Sequence, residues 1–255
     1  MLVIRHGEIF TKSEPVRKQF ARLLFDNIKT ALPDSKVSLK RWRIYVESSH
    51  EDKDVEVLQH VFGIVSISKA VKTEATLESI QETALSVVPD VKTFGVHSQR
   101  ISKEFPMNSQ ELSGEVGYYI LQNKKGLKVN LTNPDFWVNI ELYDKVAYVV
   151  SKTFDGPGGL PVGSARGTVL CDYANENDSI AALMMLKRGA NVTKHASIVG
   201  WDFGNRPEEI YLAKVTGTSD VEEFIKAQSE SDIPVFSPLI GFSEKEIGSL
   251  KKFYK

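Results

Sequence analysis

The sequence predicts a multidomain chain, α+β units followed by a parallel α/β domain, and three observations carry that prediction. Its 255 residues exceed what one small core needs, since a domain usually takes roughly 100–200 residues. One strongly Gly- and Pro-rich stretch, Asp155-Gly156-Pro157-Gly158-Gly159-Leu160-Pro161-Val162-Gly163-Ser164, marks a domain boundary. Before it, strands and helices mix and end in a hairpin; beyond it, they alternate as in a parallel sheet.

The composition excludes several classes. With 42% hydrophobic and 25% charged residues, 17 Gly and 10 Pro, the chain is neither collagen-like, disulfide-stapled nor wholly disordered. A single cysteine, Cys171, allows no internal disulfide and no cysteine-based zinc site. No apolar stretch approaches the ~18 residues that span a bilayer. Met1 to Arg5 runs directly into a strand-like pattern without a signal peptide, so a cytoplasmic protein is expected. The net charge of −1 hides a gradient, because residues 1–49 hold ten Lys and Arg against five Asp and Glu. Binding to nucleic acid needs a basic face, and that excess is local to the first segment.

The first segment, residues 1–54, reads strand, helix, strand. Leu2 to Arg5 is a strand. Ser13 is placed to cap a helix with Pro15 in its first turn, and Val16, Phe20, Leu23, Leu24 and Ile28 recur at helical spacing. Pro33-Asp34-Ser35 stops the helix, Arg43 to Val46 is a strand, and the polar run Ser48 to Asp54 is a loop. The second unit, residues 55–155, has a strand from Gly63 to Ser68, a helix bearing Leu77, Ile80, Ala84 and Val87, and a strand from Thr93 to His97. Asn108 with Glu111 three residues on forms a capping-box start, and Gly126 closes the helix that follows. Strands Trp137–Leu142 and Val146–Val150 meet in a tight hairpin. In residues 156–255, strands at Thr168–Cys171, Val192–Val199, Ile210–Val215 and Ile233–Phe236 alternate with helices at Asn177–Arg188, Val221–Gln228 and Glu244–Phe253.

Several motifs together resemble the tRNA 4-thiouridine synthetase family, also known as the thiamine-biosynthesis sulfurtransferases. Ile4-Arg5-His6-Gly7-Glu8-Ile9 is similar to the family's R-[YH]-G-E-[IL] opening. Val61-Phe62-Gly63-Ile64 and the stretch from Phe94 through Phe105-Pro106 resemble the THUMP domain, an RNA-binding module of tRNA-modifying enzymes. Gly158 to Gly163 resembles the start of the family's catalytic domain, and Val235 to Phe242 with Lys245-Glu246-Ile247 its end. The resemblance implies a ferredoxin-like domain at 1–54, THUMP at 55–155, and a reduced Rossmann-like PP-loop domain at 156–255.

The third domain departs from the family where its chemistry would occur. Active members carry S-G-G-x-D-S, whose small residues let backbone N–H groups close on the ATP pyrophosphate at a helix N-terminus. Here the matching stretch is Ala174-Asn175-Glu176-Asn177-Asp178-Ser179, and only Asp178 and Ser179 remain as nucleotide-binding remnants. Glu176 is expected to set a carboxylate where phosphate would approach; at ~4 Å and an effective dielectric near 20, two like charges oppose each other by about 4 kcal/mol. The family's sulfur-carrying cysteine has no counterpart after the loop, since Cys171 precedes it and reads as a buried apolar residue. The segment between His195 and Ile210 is also shorter than in active members, while Val215 to Ser219 resembles the family's later T-G motif.

The resemblance assigns RNA-binding roles to Arg100 and Lys103, in a K-R-x-x-K-x-F-P-like run, and favours Lys124 and Lys125. Taken alone, those two and Lys128 read equally as cations complementing a helix C-terminus. Arg41 and Arg43 flank Trp42, the better candidate for base stacking, whereas Trp137 reads as structural. The five histidines, His6, His50, His60, His97 and His195, show no metal-type pairing, and neither catalytic nor metal-ligating residues are assigned. The leading expectation is a tRNA-binding protein gripping the acceptor region, without a cofactor, whose third domain is structural or docks a catalytic partner. An active ATP- and magnesium-dependent tRNA sulfurtransferase with sulfur supplied in trans is the alternative, and a scaffold without RNA the third; oligomeric state stays open.

Overall fold

The computed structural model describes residues 1–7, 12–40, 42–102, 104–165, 167–193 and 212–253. They fall into two compact units, one built from Met1–Arg5, Asp34–Glu56 and Ser66–Asp155, the other from His6–Pro33, Val57–Val65 and Gly156–Lys255.

The first unit is organised by one eight-stranded sheet. Its strands are β1 (Leu2–His6), β2 (Lys36–Lys40), β3 (Arg43–Glu47), β4 (Ile64–Glu74), β5 (Thr93–Arg100), β6 (Lys128–Val129), β7 (Phe136–Tyr143) and β8 (Val146–Asp155), in spatial order β2-β3-β1-β4-β8-β7-β5-β6. β7 and β8 form the expected antiparallel hairpin, with Asp144 taking a positive φ of 53° in its turn. β5 runs parallel to β6 and β7. Helices α3 (Leu77–Val87) and α4 (Ser109–Asn123) contribute Ile80, Ala84, Leu112, Val116 and Ile120 to a core shared with Phe94, Val138, Ile140 and Val149. The capping box is formed as expected: the Asn108 side chain accepts from the Gln110 and Glu111 backbones while Glu111 accepts from the Asn108 backbone.

On the sheet's other face, Tyr45 of β3 and Tyr148 of β8 stack with ring centroids 4.9 Å apart. Two strands, β1 and β4, lie between theirs in the sheet. Strands sit ~4.8 Å apart, so the sheet coils to bring those rings together.

Two local expectations of the first segment are corrected. Helix α2 (Glu51–Leu58) occupies much of the polar run read as a loop. Its acidic residues Glu51, Asp52 and Asp54 complement the helix N-terminus, and Val55 and Leu58, three apart, are buried. The β2 strand was not anticipated; it is a short edge strand with a lysine at each end, a pattern that discourages further pairing.

The second unit contains a four-stranded parallel sheet, β10-β9-β11-β12, of β9 (Thr168–Cys171), β10 (Asn191–Thr193), β11 (Leu212–Val215) and β12 (Val235–Phe236). Helices α5 (Glu176–Lys187), α6 (Val221–Ser229) and α7 (Glu244–Phe253) accompany it. The parallel α/β reading of this region is thereby met. Most of the strand expected at 192–199, the start of that at 210–215, and Trp201 and His195 fall outside the described residues. Helix α1 (Glu14–Ala31) also belongs here. Ser13 is its N-cap but makes no side-chain cap bond; the helix starts instead on Pro15 and the Arg17 N–H donating to the Ser13 carbonyl. The Gly/Pro stretch is held by hydrogen bonds: Gly158 exchanges bonds with Ile64 and Gly63, Leu160 donates to Lys187, and the Asn27 amide donates to the Val162 carbonyl. A Cβ on Gly159 would sit 2.4 Å from the Lys187 carbonyl oxygen, so only glycine allows that approach.

Candidate functional site

The basic positions singled out in the sequence have different environments. At the end of β5, the Arg100 guanidinium donates to the carbonyls of Phe105 (3.3 Å) and Met107 (2.9 Å). Arg100 thus ties the end of β5 to Phe105 and Met107; Lys103 and Arg41 lie outside the described residues. The Lys124 ammonium, past α4, donates to the Val88 (2.6 Å) and Pro89 (2.9 Å) carbonyls. Lys125 and Lys128 are exposed. Trp42, with a φ of 70°, occupies the second position of the two-residue turn between β2 and β3, whose flanking residues Lys40 and Arg43 pair.

Arg43 points across the sheet. Its Nε lies 3.3 Å from Oε2 of Glu141 on β7, and Arg5 of β1 donates through Nε to Oε1 of the same carboxylate at 3.1 Å. Arg5 also donates from its second terminal nitrogen to Glu141 and from its first to the Ser68 hydroxyl at 2.6 Å. Glu141 is 4% exposed. One buried carboxylate therefore gathers two arginines from β1 and β3. The sequence reading passed over Arg5 and Glu141 as a pair. A lone carboxylate among the apolar residues of β7 was the available signal, because a charge is buried only when partnered.

The nucleotide-type loop lies between β9 and α5. Asn175 is the helix N-cap and accepts from the Asp178 N–H at 3.0 Å. The Asp178 carboxylate accepts from the Ala174 N–H (3.0 Å) and the Gly217 N–H (2.7 Å), pinning the loop to the segment after β11. A Cβ on Gly217 would meet the Asn177 carbonyl carbon at 2.2 Å, so that glycine makes the approach possible. Ser179 lies in the first turn of α5, half-buried. Glu176 corrects the charge argument made from sequence: its carboxylate pairs with Lys251 of α7 at 2.9 Å, so its charge is not uncompensated. Cys171 is fully buried, and burial raises its thiol above the usual range.

Beside this loop is a cleft of about 680 Å³ at the carboxyl ends of β9 and β11. These strands flank the point where strand order reverses, the place where open α/β sheets bind ligands. Its lining includes Asp172, Asp178, Glu230 and Asp232 against one cation, Lys214, which is paired to Asp172 at 2.7 Å. The residues present do not fit a triphosphate. Two N–H groups at the helix start are taken by its own side chains, and the cleft carries excess negative charge.

Residues 1–68 match the ThiI ferredoxin-like domain and residues 74–152 the THUMP domain. The chain is 38% identical over 206 residues to the "Probable tRNA sulfurtransferase" of Thermococcus kodakarensis, covering 75% of this chain and 54% of that protein. It is 41% identical over 199 residues to the protein of the same name from Thermoanaerobacter sp. (strain X514), covering 75% and 52% respectively. The chain thus spans about half the length of the curated relatives it matches. Among solved structures, PH1313 from Pyrococcus horikoshii Ot3 superposes with a TM-score of 0.80 at 30% identity over 98% of both chains. A 4-thiouridine synthetase, solved as an RNA complex with bound ATP, shares the fold at a TM-score of 0.72 and 20% identity, over 99% of this chain and 85% of that one. With ferredoxin-like and THUMP domains, a parallel α/β unit and these relatives, the chain belongs to the tRNA 4-thiouridine synthetase family.

Proposed function

We propose that this protein binds tRNA at its acceptor region in connection with tRNA thiolation, and that its third domain does not adenylate on its own. The THUMP match and the tRNA sulfurtransferase relatives support the RNA half of the reading. Exposed Lys125 and Lys128 are its candidate RNA-contacting cations, and Lys103 and Arg41 keep the role expected of them from the sequence; Arg100 and Lys124 bond to backbone carbonyls. The engaged loop carries the other half: the Ala174 and Asp178 N–H groups, which would cradle a pyrophosphate, are bonded to Asp178 and Asn175. Adenylation then falls to a catalytic partner docked on the third domain.

Calorimetry with ATP and magnesium, beside a pyrophosphate-release assay on unmodified tRNA, tests this. The expected result is no ATP heat and no pyrophosphate from a protein that retains tRNA. Micromolar ATP binding with pyrophosphate release would replace this reading with an active sulfurtransferase using sulfur supplied in trans. Loss of tRNA binding as well would leave a scaffold.

A further inference from the structure

The Arg5–Glu141–Arg43 cluster uses its charges unevenly. Two guanidinium groups meet one carboxylate, and the two arginine side chains keep 28% and 18% of their surface exposed while Glu141 keeps 6%. Arg43 meets Glu141 as an ion pair, Nε to Oε2 at 3.3 Å, and among the described residues its terminal nitrogens make no hydrogen bond. Two residues along β3, the Tyr45 hydroxyl is buried without a hydrogen-bond partner among the described residues. Lys72 of β4 is exposed and pairs with Tyr148 of β8, which in turn pairs with Glu141 of β7, so the lysine joins the same row across the sheet. The face thus brings Arg5, Arg43 and Lys72 to one row, with Glu141 as the buried carboxylate among them and Glu47 and Glu74 exposed at its margins.

We propose that Arg43 and Arg5, oriented by Glu141, form a clamp for a backbone phosphate of bound RNA. The inference rests on the tRNA-binding reading above and assigns it a specific anchor. Arg5 is held by hydrogen bonds to Glu141 and Ser68, and Arg43, ion-paired beside it through Nε, keeps its terminal nitrogens for a phosphate's two oxygens. Glu141 is a positioning residue here, acting through the arginines and not on the RNA.

Filter binding of tRNA across a salt series tests the clamp, with thermal melts of each variant alongside. Arg43→Gln leaves Glu141 paired with Arg5, so the buried charge keeps a partner. It is expected to weaken binding about tenfold at low salt and to reduce the salt slope by about 0.7–0.9, the loss of one phosphate contact. Glu141→Gln adds a unit of positive charge, yet is expected to weaken binding because the arginines lose their orientation. Should either fail to fold, Arg43→Lys, which keeps the charge without the fork, decides the point and is expected to bind several-fold more weakly. An unchanged slope in Arg43→Gln, tighter binding in Glu141→Gln, or wild-type affinity in Arg43→Lys would overturn the clamp while wild-type binding upholds the tRNA reading. If the wild-type protein itself binds no tRNA, both fall.

Discussion

Cys171 sits at the end of β9 with its side chain fully buried and its sulfur 3.6 Å from the Asp178 carbonyl oxygen. Burial disfavours the thiolate, the form that attacks persulfides and electrophiles, so the thiol stays protonated at neutral pH. Iodoacetamide should therefore leave the native protein unlabelled at pH 7.5 and label it once in urea. Rapid labelling of the folded protein would mean that this sulfur is accessible and would reopen a carrier role. The same restraint applies to the arginines and lysines. A cation in a family-like motif reads as a phosphate contact, but Arg100 and Lys124 spend their donors on four backbone carbonyls. Nothing in the one-dimensional pattern separates these two uses, because the carbonyls come from residues 5–36 positions away.

At the scale of elements, the start of α5 is where the proposal that the chain does not adenylate on its own can be tested. The sequence reading rests on the charge of Glu176; the proposal made from the structure rests on the backbone, where Asn175 caps the helix and Asp178 bridges Ala174 to Gly217. Glu176→Gly should therefore fail to create ATP binding by calorimetry, and should lower stability slightly through loss of the exposed Lys251 pair, by about 0–1 kcal/mol. Micromolar ATP affinity in that variant would show that the carboxylate alone was the barrier. Elements with strong periodic or capping signals were legible in advance, among them α4 with its reciprocal Asn108–Glu111 bonds and the β7–β8 hairpin. Helix α2 was hidden because its polar first turn reads as loop until Val55 and Leu58 are seen to be buried. The Arg5–Glu141–Arg43 cluster was hidden for a different reason. Its members are 136 and 98 positions apart from Glu141 and meet only because β1, β3 and β7 share one coiled sheet.

For the whole molecule, charge is distributed by region. The net charge is −1, and the cations of the first 49 residues are shared between the two units, Lys12, Arg17, Lys18, Arg22 and Lys29 falling in the unit that also holds the cleft lined by four carboxylates. An RNA ligand would be drawn to the cations and repelled by the carboxylates of the cleft, so binding should be dominated by counterions released where the cations meet phosphate. The account's central claim is that this chain grips tRNA, and an equilibrium titration of unmodified tRNA over ~50–300 mM salt tests it most directly. The account predicts that log K falls linearly with log salt at a slope steeper than about −2, as several phosphate contacts are lost together. Binding that is absent at ~50 mM salt, or that does not change across the series, would contradict it.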